Sequence, residues 1–436
     1  MSIYNLVSFC GIFIIMGIAW LFSAQKSTIN WRLIRGALGL QAAFALFIFI
    51  VPAGSRLFLA INSAVITVLG AASAGSRFVF GRLALPPGAV SDAGEPSLGF
   101  FLAFQAFPTI IFFSALASVL YYTGVLPWLI RRFAALFTRL FNISGAEALC
   151  AASNIFAGVE SALTVKPYLR DMTRSELCAV LTCGMATVSS NVLALYVFTL
   201  QEQFPTIAGH LMSASILAAP SALIMSKLVV PESGAPVTLG RCVEPYYERD
   251  KSIFEAIING ANTGVRMVVG IVALLLAVLG MVALADLGMT ALGGLINSAA
   301  GLQVDWSLRG LAGSAFYPLT VIIGVPLEDA ALIARIIGER LIVTEVVSYQ
   351  HLAAAIAAGS IASPRSTVIA TYALCGFAHL ASMAIFIGGT AALVPQKTAE
   401  LGRVGFRALL AATLACLLTA CIAGTFYTSG SILNAG

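Results

Sequence analysis

SGAEALCAASNIFAGVESALTVKP, residues 144–167, is the stretch that decides how this chain folds. Ser144 followed by Glu147 is a capping box, so a helix starts there. That helix is apolar but short. It runs into Ser153, Asn154, Ala157, Gly158, Val159, Glu160 and Ser161, a small and polar tip, and a second short apolar piece returns to Lys166-Pro167 with Arg170 and Arg174 close behind. A helix needs about 20 apolar residues to cross a hydrocarbon core roughly 30 Å thick. Neither arm reaches that length, so the segment predicts a re-entrant helical hairpin whose tip backbone is buried in protein or lines a wet cavity.

Outward from this stretch the composition agrees with a membrane setting: 59% of the 436 residues are hydrophobic and 10% are charged, against roughly 25% charged in soluble domains. Apolar runs at 5–23, 36–52, 99–123, 177–200, 207–226, 267–285, 367–394 and 408–427 predict eight crossings. The first lacks a basic leader and a clear cleavage site before Lys26, and reads as a retained span. Lys26, Arg32 and Arg35 follow it, and Lys397, Arg403 and Arg407 precede the last run. Placing these basic groups on the cytoplasmic side leaves both termini outside a bacterial inner membrane. The eight cysteines (10, 150, 178, 183, 242, 375, 416 and 421) show neither metal-site nor disulfide spacing, and read as small core hydrophobes.

Polar residues divide the chain. Residues 1–98 read as N-terminal scaffold helices, within which 55–83 predicts an interfacial helix rather than a further crossing. Residues 99–230 form a first repeat, 231–260 a cytoplasmic linker and 261–436 a second repeat. Arg131, Arg132 and Arg139 punctuate an amphipathic helix over 126–142. A second interrupted segment, about 308–356, carries Pro318, Pro326, Glu328, Asp329, Arg335, Glu339, Arg340 and Glu345 and predicts a hairpin from the opposite face. Two such hairpins in corresponding places indicate an inverted repeat with a site near the midplane. The fold class is therefore all-α: eight transmembrane helices and two oppositely oriented hairpins.

Ionisable groups at membrane depth need a partner or a task. Glu160 is either paired with Lys166 or faces the cavity; Glu345 is either paired with Arg340 or Arg335 or faces it too. His379, in Cys375-Gly-Phe-Ala-His-Leu-Ala-Ser382, either bonds a neighbouring helix as a neutral ring or relays a proton. The run Gly184-Met-Ala-Thr-Val-Ser-Ser-Asn191 allows close helix packing, or else a local break whose carbonyls, with Asn154 and the Thr187 hydroxyl, suit a sodium ion.

Gly338-Glu-Arg-Leu-Ile-Val-Thr-Glu345-Val-Val-Ser-Tyr349 resembles the G-x-K-x-x-x-N-E-F-V-A-Y signature of concentrative nucleoside transporters. Ile369–Ala378 is similar to that family's next signature, Phe104–Ser114 and Val119–Gly124 to its third span, and Ser144–Glu147 with Asn154 and Gly158 to its first hairpin. The resemblance covers about residues 99–424. It implies a homotrimer that imports nucleosides on a sodium or proton gradient by an elevator-type motion, without a cofactor, without enzymatic activity and without nucleic acid. It also implies that the first hairpin and fourth span contact the base: Gly158, Val159, Glu160 and Val192. Glu345 and Ser382 then hold the sugar, with Phe377 beside Ser382, and His379 stands where the family has asparagine. Sodium would bind Asn154, Thr187 and the carbonyls of Ala157 and Val188. The hairpin tip lacks the family's glutamine and proline, and Thr344 replaces an asparagine. A modified nucleoside or a nucleobase is the alternative cargo. An intramembrane enzyme using Glu160, Glu345 and His379 is a distant one, because no H-E-x-x-H-type spacing is present.

Overall fold

The computed structural model describes residues 2–91, 94–158, 161–247, 249–301 and 303–428, and among them every regular element is helical. In chain order the helices are α1 (Ile3–Leu21), α2 (Trp31–Phe49), α3 (Pro52–Phe80), α4 (Leu102–Gln105), α5 (Phe107–Tyr122), α6 (Val125–Phe141), α7 (Gly145–Asn154), α8 (Ser161–Thr164) and α9 (Arg174–Ala186). They continue with α10 (Ser190–Leu200), α11 (Ile207–Val229), α12 (Ile253–Ala300), α13 (Leu308–Ile322), α14 (Leu327–Ile342), α15 (Glu345–Ala357), α16 (Pro364–Leu374), α17 (Leu380–Leu393) and α18 (Thr398–Phe426). Among the described residues seven stretches are long and apolar enough to cross a membrane: α1, α2, α3 with its 3₁₀ extension, α4–α5, α11, α12, and α18 with its 3₁₀ lead-in.

Two expected crossings are not single helices. The run 177–200 divides into α9 and α10, because Thr187 is extended (φ −118°, ψ 157°). The run 367–394 divides into α16 and α17, where extended His379 caps the second half (φ −143°, ψ 168°). Helix ends leave carbonyls and amides that need partners from outside the helix, and here Arg340 donates to the Ala373 carbonyl and the Thr187 hydroxyl to the Cys183 carbonyl. The two breaks touch: a Cβ on Gly376 would lie 2.9 Å from the Ala186 carbonyl oxygen. The Cys416 thiol on α18 contacts both the Ala186 and the Cys375 carbonyls, at 3.8 and 3.7 Å.

Side-chain contacts fix which ends of these helices lie together. Ala24 N–H, just past α1, donates to the Val229 carbonyl at the end of α11 (2.9 Å). Asn30, Asn142, Lys227 and Glu232 line one crevice, and Arg174, Lys397 and Arg403 another. The basic groups of the first loop, α6, the α9 start and the α17–α18 connection therefore share one end of the bundle. At the other end Asn5 Nδ2 donates to the carbonyls of Gly424, Thr425 and Tyr427, joining the start of α1 to the end of α18.

The α7–α8 hairpin starts at the basic end, where its capping box forms (Ser144 N–H to Glu147, 3.3 Å) and the Ser144 hydroxyl meets Thr238 at 2.8 Å. Glu147 is buried against Lys227, which also reaches Glu232 at 3.2 Å. The arms are tied by Ser153 and Thr164 hydroxyls 3.0 Å apart. The second hairpin comes from the opposite end. Ser8 Oγ donates to the Ile323 carbonyl (2.8 Å) and Arg365 to the Gly324 carbonyl (2.8 Å), fixing the turn before α14 beside the start of α1.

Several boundaries differ from expectation. The hairpin that carries Glu345 at its tip is α14–α15; residues 308–322 form a separate helix, α13, packed on α14. Helix α12 starts at Ile253, inside the expected linker, and runs to Ala300 because the apolar pattern continues past 285. Helix α3 is long enough to cross, yet both its ends lie at the terminus-bearing end. Gly54 abuts Phe47 at the end of α2, Asn62 bonds Pro205 and Gly209, and Leu85 after its last turn bonds Gln105. Six cysteines are buried, while Cys10 and Cys242 are exposed.

Candidate functional site

The breaks and the first hairpin tip enclose a cavity of about 560 Å³. Gly158 lies so close to Ser189 that a Cβ would sit 2.7 Å from the serine Cβ, so the tip rests on the α9–α10 break. The cavity wall comprises Gly158, Thr187, Val188, Val192, Tyr196 and Phe377, closed on one side by Met267, Gly270, Ile271 and Leu274 of α12. Gly184 is obligatory here because the Phe386 ring occupies the space of its missing side chain, 2.3 Å from an ideal Cβ. A larger crevice of about 600 Å³ between α3, α10 and α15 holds none of the residues the sequence singled out.

Glu345 begins α15, so its carboxylate lies at a helix N-terminus, where negative charge is favoured. It is fully buried. Its Oε1 accepts from the Tyr196 hydroxyl at 2.5 Å, and its Oε2 lies 3.1 Å from His379 Nε2. That second approach is close but misaligned, and neither atom has another hydrogen-bond partner. The pairings considered for Glu345 with Arg335 and Arg340 do not form. Arg335 faces Asp305 at 4.0 Å, and fully buried Arg340 donates to the Ala373 carbonyl at the end of α16.

His379 and Ser382 lock one another. The Ser382 N–H donates to His379 Nδ1 (3.1 Å), and the Ser382 hydroxyl accepts from the His379 N–H (3.1 Å) while donating to its carbonyl (2.7 Å). An Nδ1 that accepts a backbone N–H carries no proton, so this tautomer places the ring hydrogen on Nε2, 3.1 Å from Glu345 Oε2 but out of line with it. Phe377 packs edge-on against the imidazole, centroids 4.6 Å apart.

At the hairpin tip Asn154 is fully buried; its Nδ2 donates to the Cys150 carbonyl (3.0 Å), while Oδ1 has no partner. Thr187 Oγ1 donates to the Cys183 carbonyl (2.9 Å), leaving its lone pairs free. An orphaned amide oxygen, a hydroxyl oxygen and the bare carbonyls of a broken helix are the hard oxygen donors that suit a small cation. No group of three His, Cys, Asp or Glu side chains that could hold a metal ion occurs among the described residues.

Of the residues read from sequence, Gly158, Thr187, Val188, Val192 and Phe377 line the cavity. Glu345 and His379 lie immediately behind Tyr196 and Phe377, with Ser382 joined to His379. Asn154 and Ala157 are buried at the hairpin tip. Val159 and Glu160 lie outside the described residues. Tyr196 was missed, although a phenol one helical turn beyond Val192 in an apolar run is a group that needs a partner.

The chain's sequence and fold have clear counterparts. Residues 10–83 match the model of the Na+ dependent nucleoside transporter N-terminus, residues 103–203 the nucleoside recognition Gate model, and residues 210–424 the Na+ dependent nucleoside transporter C-terminus. The chain is 34% identical to solute carrier family 28 member 3 of Mus musculus, over 96% of its own length and 58% of that protein's. It is 35% identical to nucleoside permease NupC of Helicobacter pylori, over 97% of this chain and 98% of that one. The structure of CNTnw in an inward-facing substrate-bound state superposes with a TM-score of 0.85 at 32% identity, covering 97% and 98% of the two chains.

Proposed function

This chain is a member of the concentrative nucleoside transporter family, a multi-pass membrane transporter and not an enzyme, and from that premise we propose that it is a sodium-coupled nucleoside symporter. The observation that carries the proposal is the fully buried Glu345 carboxylate behind a cavity bounded by two touching helix breaks and a hairpin tip. A sugar hydroxyl donating to that carboxylate in a dry site makes a strong charge-assisted bond. The base then lies on the apolar wall of Val192 and Phe377.

Sodium is preferred to a proton on two grounds. Asn154 Oδ1 is a buried acceptor without a donor, which a cation satisfies. His379 Nδ1 is committed to the Ser382 amide, so taking up a second proton would break the cap of α17. Binding sodium at the α9–α10 break tightens the contact of Gly158 with Ser189 and thereby shapes the base side of the cavity. Alternating access follows as an elevator-type movement of the two hairpins and two broken helices as a unit against α5 and α12. The protein works as a homotrimer in the bacterial inner membrane, with the basic end of the bundle in the cytoplasm and both termini outside.

The test is uptake of radiolabelled uridine and adenosine into proteoliposomes. Accumulation driven by an inward sodium gradient, and lost when choline replaces sodium, is expected. Equal accumulation without sodium would remove the coupling assignment, and no accumulation of any nucleoside would remove the function. Asn154→Ala should raise the sodium concentration for half-maximal uptake by about tenfold, the loss of one ion-to-oxygen contact of about 1.4 kcal/mol.

A further inference from the structure

We propose that Tyr196 is a specificity-determining residue: its hydroxyl holds one oxygen of Glu345, leaving the site able to recognise a single sugar hydroxyl strongly. The inference rests on the nucleoside reading above.

Tyr196 lines the cavity with its ring and turns its hydroxyl onto Glu345 Oε1 at 2.5 Å. The ring is not free to swing. It stacks on Tyr349 with centroids 4.5 Å apart and planes at 27°, and the Tyr349 hydroxyl is itself anchored on the Thr371 carbonyl at 3.1 Å. One carboxylate oxygen is thus satisfied by the protein. The other, Oε2, has no hydrogen-bond partner, and beside it at 3.1 Å stands His379 Nε2, also without one. The tautomer fixed by the Ser382 amide makes Nε2 a donor. An unmet acceptor beside an unmet donor matches a hydroxyl group, which gives one hydrogen bond and takes one.

The second hydroxyl of a ribose diol meets a different situation. To reach Oε1 it must displace Tyr196, exchanging one hydrogen bond for another of the same kind, and such an exchange yields little net free energy. Selectivity against a missing hydroxyl arises when a buried polar group is left unpaired; here Tyr196 prevents that at Oε1. Tyr196→Phe keeps the stacked ring, removes the donor, and leaves Oε1 buried and dependent on the ligand.

The experiment is calorimetric titration of the purified full-length protein, in sodium, with uridine, 2′-deoxyuridine and 3′-deoxyuridine, and with the matching adenosine series. In wild type at least one monodeoxy analogue should bind within about threefold of its ribonucleoside. In Tyr196→Phe that ratio should widen to about tenfold or more, because a hydrogen bond to a charged group is at stake. Tyr349→Phe, which removes a hydroxyl from the same stack without touching the carboxylate, should leave the ratio as in wild type. Rejection of both monodeoxy analogues by about tenfold in wild type overturns the inference without any variant. So does an unchanged ratio in Tyr196→Phe, or a uniform weakening of all ligands, which is what a purely structural tyrosine would give. Wild-type protein that binds the ribonucleosides but fails these ratios leaves the nucleoside reading standing. Protein that binds no nucleoside removes that reading and the inference together.

Discussion

At the scale of single residues, function turns on how a few buried polar atoms are shared. Glu345 has two oxygens, one accepting from Tyr196 and the other beside His379, and the proposed ligand would be a third claimant. Glu345→Gln removes the charge that strengthens the ligand's hydrogen bond, so uptake at low substrate should fall by about tenfold to a hundredfold; normal uptake would remove its assigned role. His379→Asn exchanges one neutral donor for another. Sodium-driven uptake should survive it, with an unchanged pH profile between about pH 6 and 8, where a proton-carrying imidazole would titrate. Flattening of a pH dependence present in wild type would show that the ring carries protons. Glu345 and His379 were legible in the sequence because ionisable residues inside apolar runs are rare. Their mutual approach was not, since 34 residues of hairpin and broken helix separate them and spacing says nothing about which helix faces meet. The pairing of Glu345 with Arg340 was reasonable by spacing, yet Arg340 turns to the end of α16, where bare carbonyls attract a cation.

At the scale of elements, glycines and one ion pair decide which helices can touch. Gly260 and Gly264 let α12 lie against α5: a Cβ on Gly260 would come within 2.7 Å of Ala115 Cα, and one on Gly264 within 2.6 Å of Ile111 Cα. Small residues four apart are the usual means of close approach between membrane helices. Gly264→Leu should force the pair apart and destabilise the protein by about 1–3 kcal/mol, read as an earlier thermal unfolding transition in detergent. At the base of the first hairpin, buried Lys227 serves Glu147 and Glu232 together. Lys227→Met leaves Glu147 buried and unpaired, at a cost of about 3–5 kcal/mol. Adding Glu147→Leu should recover most of that loss, because an apolar pair of similar volume needs no compensating charge; a double variant as unstable as the single one would contradict this account. The hairpin at 144–167 was readable from its capping box and its length. The second hairpin is narrower than the interrupted run 308–356 suggests, because Pro318 inside the separate helix α13 breaks the apolar pattern just as the hairpin does.

At the scale of the whole molecule, α12 presents Leu276, Met281, Leu284 and Leu287 about 70% exposed along a 48-residue helix. Lipid or neighbouring protomers cover such a face. In detergent, light scattering should give the protein mass of three chains; a monomer would count against the trimer. Orientation has its own test in exposed Cys242, which a membrane-impermeant maleimide should label in inside-out vesicles and not in intact cells. By itself the sequence determined the membrane setting, the approximate number of crossings, the two interrupted segments and the family resemblance. All of these are set by local composition and by periodicity along one chain, which the hydrocarbon core and the backbone's need for hydrogen bonds read directly. Only the tertiary structure decided that the two helix breaks touch, that Tyr196 holds Glu345, that His379 is held by Ser382, and that Asn154 keeps an unanswered oxygen. These depend on which faces of distant helices meet, and that is fixed by packing between segments whose separation in sequence carries no trace of it.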